Sequence, residues 1–143
     1  TELQAALGVS QMNRLDEFIA KRHILQERYD QLLKELPITT PYQSNFSYSA
    51  LHLYPIQIDL KKIKIDRKQV FNALRENGIG VNIHYIPVHT QPYYLEIGFE
   101  NGSFPVAESY YSETISLPLF SQLSFDDQDK IISTLKRVLK RLY

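Results

Sequence analysis

The chain contains no cysteine and no tryptophan, and only five of its 143 residues are glycine. Without cysteine, disulfides and thiolate metal centres are excluded. With so few glycines, and those scattered, no glycine-rich phosphate loop can be drawn. Net charge is zero, with 16 basic and 16 acidic residues, so the basic excess of a nucleic-acid binder is missing. No apolar run reaches the length of a membrane span and no signal peptide opens the chain. Serines 112, 116, 121 and 124 lack the strand-turn-helix context of a nucleophile elbow. The first residue is Thr1, and "TELQAALG" reads as the middle of a longer chain.

What is present is ordinary globular composition, 43% hydrophobic and 22% charged, enough for one domain with a core of its own. Thr1 and Gln4 have capping-box spacing, and Leu3, Ala6 and Leu7 follow, a face that needs a partner surface. Gly8 and Ser10 loosen the run. From Gln11, Leu15, Phe18, Leu25, Tyr29, Leu32 and Leu36 form one helical stripe, opposite Arg14, Glu17, Lys21, Glu27 and Lys34, until Pro37 stops it. "ITTPYQSNFSYSA" is loop. "LHLYPIQIDL" is rich in strand formers, but Pro55 cannot donate to a ladder, which places it at a sheet edge or bulge.

"KKIKI" sets lysines on a wet face. Asp66 caps a helix carrying Val70, Phe71 and Leu74, ended by Asn77-Gly78. "IGVNI" alternates as a half-buried strand does, and a long loop rich in Pro, Tyr and His follows. Pro105 can open a short helix through Tyr111, and "TISLPLF" is a buried strand stopped by Pro118. The last helix is capped by Ser124 and Asp127. Its stripe is Ile131, Leu135, Val138, Leu139 and Leu142, with Lys136, Arg137, Lys140 and Arg141 at its negative end. The order predicts an α/β (α+β) fold: a long helical arm over 1–36, then over 37–143 a small mostly antiparallel or mixed sheet with helices packed on it.

The candidate chemistry sits in "GIGVNIHYIPVHTQPYYLEIGF", residues 78–99. His84 and His89 are five apart in an extended, proline-broken segment with no acid between them, which falls short of the three or four preorganised ligands zinc needs. The histidines, Tyr85 and Gln91 offer donors and flat surfaces for hydroxyls, phosphates or a base. Equally, Tyr85, Tyr93 and Tyr94 could only wedge the loop against the core. His23 and His52 read as structural or exposed. No lysine here has the setting of an imine-forming amine.

Four segments, "TELQAALGVSQMNRLDEFIAKR", "GIGVNIHYIPVHTQPYY", "FPVAESYYSETISLPLF" and "LSFDDQDKIISTL", resemble, in order and spacing, the C-terminal part of the DegT/DnrJ/EryC1/StrS sugar aminotransferases. The "GIGVNIHYIPVH" version is most similar to those acting on a UDP-linked 4-keto-6-deoxy-N-acetylhexosamine. The resemblance implies a small C-terminal domain behind a large pyridoxal-phosphate domain, in a cytoplasmic homodimer that takes an amino group from glutamate. The lysine that bonds the cofactor aldehyde would lie upstream, so the chain alone should bind no cofactor, hold no catalytic residue and be inactive. His84, Tyr85 and His89 match the "HY-x-P-x-H" pattern and are the implied substrate contacts. Two alternatives stand: a sugar dehydratase of the same family, and a free-standing binding or oligomerisation module.

Overall fold

The computed structural model describes residues 1–140, so Arg141 and Leu142 of the predicted last helix lie outside the described residues. Among the described residues, six α-helices and a three-stranded antiparallel sheet make a mixed α+β fold. Helix α1 (Glu2–Met12) starts at the expected capping box: Thr1 accepts from the Gln4 amide, and the Gln4 side chain faces back. Gly8 does not break it, since one interior glycine costs only about 1 kcal/mol. The break falls at Asn13–Arg14, where the Arg14 amide turns back to the Gln11 carbonyl. No residue of α1 is buried, and Leu3 is 82% exposed.

Helix α2 spans Leu15–Leu33. Its buried face is Leu25, Gln26, Tyr29 and Leu33, whereas Leu15 and Leu32 remain exposed and Phe18 and Leu36 half-buried. The expected stripe therefore holds at Leu25 and Tyr29, is partly covered at Phe18 and Leu36, and is exposed at Leu15 and Leu32. Spacing defines a face; only a neighbouring element buries it.

Strands β1 (Ile38–Thr39), β2 (Tyr54–Ile58) and β3 (Thr114–Leu117) form the sheet in the order β1-β2-β3. Pro55 thus lies in the central strand, not at the edge its missing N–H suggested. The register explains why it is tolerated. Pro55 faces Ser116, whose backbone N–H and C=O are both bonded to Asn82 on the far side, so Pro55 and Ser116 form a non-hydrogen-bonded pair. The nitrogen of Pro55 then points to the other flank, where β1 pairs only with Gln57 and Ile58 and has already ended.

Helix α3 (Arg67–Glu76) has the expected Asp66 cap, joined by Gln69, and Gly78 stops it at φ +76°, a conformation that favours glycine. "IGVNI" is reduced to one bridge, Asn82 to Ser116. Ile79 and Val81 are buried on alternate positions, but the Val81 amide is taken by the Ile79 carbonyl at 2.9 Å, and that tight local turn prevents a longer ladder. The segment expected as loop holds a 3₁₀ turn, Val88–Thr90, and a short helix α4, Pro92–Glu96. Helix α5 (Pro105–Glu113) opens on its proline and runs without a break into β3, all four residues of which are buried.

Helix α6 (Phe125–Lys140) is capped by Ser124, whose Oγ accepts from the Asp127 amide, and it packs against α2 and α3. Gln128, fully buried, donates to the Leu25 carbonyl and accepts from Arg28, which also pairs with Asp129 at 2.7 Å. Beneath the sheet, Tyr29 and Tyr54 stack at 4.8 Å. Tyr29 donates to the Pro118 carbonyl, while Tyr54 and Gln26 donate to Asp30. Burial, foremost, pushes both phenols well above the ordinary tyrosine value. No helix among the described residues is long and apolar enough to cross a membrane.

Candidate substrate-binding rim

The segment from His84 to Tyr110 leaves the core at Ser116. That residue ties down its neighbour twice: its backbone bonds Asn82, and its Oγ lies 2.8 Å from His84 Nδ1. His84 is thereby held half-buried at the edge of the sheet. The next side chain, Tyr85, packs edge-on to the His84 ring at 4.6 Å and is 71% exposed. Pro87 begins the 3₁₀ turn, its carbonyl accepting from Thr90 Oγ1, and the turn directs His89 inward. His89 is only 7% exposed; its Nε2 lies 2.8 Å from Glu108 Oε1, and its ring leans on Phe104 at 4.8 Å.

Two apolar grooves share the walls Pro87, Phe104 and Ala107. One, of about 600 Å³, is lined also by Tyr85, Val106 and Tyr110. The other, of about 320 Å³, is lined by Val88, His89, Tyr94 and Phe99. Tyr85 and His89 therefore reach adjoining grooves, whereas His84 lines neither and supports Tyr85 from behind. Glu108 was not singled out by the sequence. It accepts from His89 and from the Gly102 amide at 2.8 and 3.0 Å, and more weakly from the Phe104 amide at 3.4 Å. The His89 bond, foremost, holds its carboxyl below the ordinary value of 4.5. The available signal was an acid in the first turn of a proline-opened helix. His23 donates to the Ser49 carbonyl and stacks on Tyr48, and His52 is exposed. Among the described residues no cluster of three or more His, Asp or Glu could hold a metal.

A surface with apolar walls and a few fixed polar groups suits a ligand that has both flat apolar faces and hydroxyls. The model of the DegT/DnrJ/EryC1/StrS aminotransferase family matches residues 1–136, and the chain belongs to that family. Among particular relatives, it is 39% identical over 142 residues to the spore coat polysaccharide biosynthesis protein SpsC of Bacillus subtilis, covering 97% of this chain and 36% of that protein. It superposes on PseC of Helicobacter pylori, an aminotransferase involved in the biosynthesis of pseudoaminic acid, with TM-score 0.89 and 27% identity over 98% of this chain and 38% of that one. A Streptococcus pneumoniae chain solved in its PLP form gives TM-score 0.89 at 28% identity, over 99% of this chain and 36% of that one. The chain thus spans little more than a third of the length of these relatives.

Pyridoxal phosphate needs a lysine amine, a carboxylate for its ring nitrogen and donors around its phosphate. The residues present do not fit it by themselves. No lysine lines either groove, and none of the described lysines is buried. Lys62 is paired with Asp59 at 3.0 Å and Lys21 lies over the Phe125 ring. Both groove walls lack a cation for a phosphate.

Proposed function

We propose that this chain is the small C-terminal domain of a pyridoxal-phosphate-dependent aminotransferase that moves an amino group from glutamate to a UDP-linked 4-keto-6-deoxy-N-acetylhexosamine. Residues 1–36 form the arm to the cofactor domain and residues 37–143 the domain proper. The whole enzyme works as a cytoplasmic homodimer. His84, Tyr85 and His89 sit at the mouth of the active site: Tyr85 offers a flat face and a hydroxyl to the nucleotide-sugar, His84 orients Tyr85, and His89 fixes the groove wall. The lysine, the ring-nitrogen carboxylate and the phosphate donors come from outside these 143 residues, so the chain alone transfers nothing.

One observation carries the reading: the two apolar grooves that the "HY-x-P-x-H" segment shares with residues 94–110, in a chain whose family match extends over residues 1–136. The test is a coupled assay with glutamate and the UDP-linked keto-sugar. The complete gene product is expected to form the amino-sugar, and the 143-residue chain supplied with the cofactor is expected to form none. Turnover by the short chain, or none by the complete product, contradicts the proposal.

A further inference from the structure

We propose that Glu108 is a positioning residue for the nucleotide-sugar: one carboxylate ties His89 to the turn at 102–104 and so sets the shape of the wall on which the ligand rests. The inference rests on the nucleotide-sugar reading of the rim. Its geometry is independent of that reading. A carboxylate only accepts hydrogen bonds, with room for about four. Glu108 takes one from the His89 ring, two short contacts from the Gly102 amide, and a longer one from the Phe104 amide. Gly102 is at φ +92°, where its N–H turns toward the helix that carries Glu108.

Two consequences follow. Because the acceptor is a carboxylate, Nε2 of His89 must carry the hydrogen, so a neutral ring leaves Nδ1 as a bare acceptor. And because Phe104 is a wall of both grooves and lies against the His89 ring, the carboxylate sets wall and ring together. Glu108 itself lines neither groove, so its influence on a ligand has to pass through Phe104 and His89. A staple that served folding alone would leave ligand affinity untouched once the protein is folded.

The complete gene product carrying Glu108→Gln separates the two roles. The amide oxygen in place of Oε1 still accepts from His89 and Gly102, but the charge is gone and the NH₂ in place of Oε2 meets the Gly102 amide donor to donor, so the turn is loosened. The Michaelis constant for the UDP-linked keto-sugar is expected to rise about tenfold, the usual scale for one charge-assisted hydrogen bond, with kcat and the constant for glutamate within about twofold. Glu108→Asp keeps the charge on a shorter arm and is expected to fall between. Amide exchange over 100–104, read by mass spectrometry without substrate, is expected to quicken about tenfold in Glu108→Gln. Unchanged exchange, or an unmoved sugar constant in an active variant, overturns the proposal, as does an equal change in every kinetic constant. Failure of the unsubstituted enzyme to use any nucleotide-sugar sinks the rim reading and this inference together.

Discussion

Helix α6 and the rim from Tyr85 to Tyr110 are both rich in apolar side chains, and they spend them differently. In α6 these side chains recur at helical spacing, and Ile131, Ile132, Leu135, Val138 and Leu139 vanish into the core against α2 and α3. In the rim, Tyr85, Ile86, Val88, Tyr93 and Val106 are each half exposed or more. Prolines 87, 92 and 105 and the glycines at 98 and 102 cut the rim into turns too short to bury a stripe. Regular periodicity builds a core; interrupted periodicity leaves apolar surface available to a ligand or a neighbouring surface.

That contrast can be broken by substitution. The largest effect is expected at Leu135, fully buried in α6: Leu135→Ala should cost about 2–5 kcal/mol of unfolding free energy, measured by urea denaturation. Gln128→Ala comes next. It removes the side-chain bonds to the Leu25 carbonyl and to Arg28, which keeps only its pair with Asp129, at about 1–3 kcal/mol.

Acid should act on the rim before the core. The folded carboxyl of Glu108 is held below its ordinary 4.5, so its contribution is full above that value and is lost as pH falls through the lower folded value. Amide exchange at 102–104 is expected to quicken in that window while exchange in β2 and β3 stays slow. Simultaneous loss of both would erase the contrast. The smallest effect is expected at Val106, 84% exposed: Val106→Ser should shift stability by less than about 0.5 kcal/mol.

The local half of this fold was legible in the sequence. Thr1 with Gln4, Asp66 with Gln69, and Ser124 with Asp127 all cap where expected, because a cap is decided by residues three apart. Gly78 stops α3 and Pro105 opens α5 for equally local reasons. What was not legible depended on partners distant in sequence. Pro55 fits a central strand because β1 ends early and Asn82 claims the backbone of Ser116. That Leu33 and not Leu32 is buried with Leu25 and Tyr29 depends on elements packed against α2 from far along the chain, α6 among them. In the rim, the histidines and Tyr85 stood out by residue type. Glu108 and Ser116, which hold His89 and His84, carried no pattern that links them, since their bonds span 19 and 32 residues.

The rim account is tested most directly by His84→Ala in the complete gene product. Removing the ring takes away the support between Ser116 and Tyr85 while leaving the core untouched. The expected result is a Michaelis constant for the UDP-linked keto-sugar raised about tenfold, with pyridoxal-phosphate loading unchanged. An unchanged constant, or a loss of cofactor that accounts for the whole defect, would contradict it.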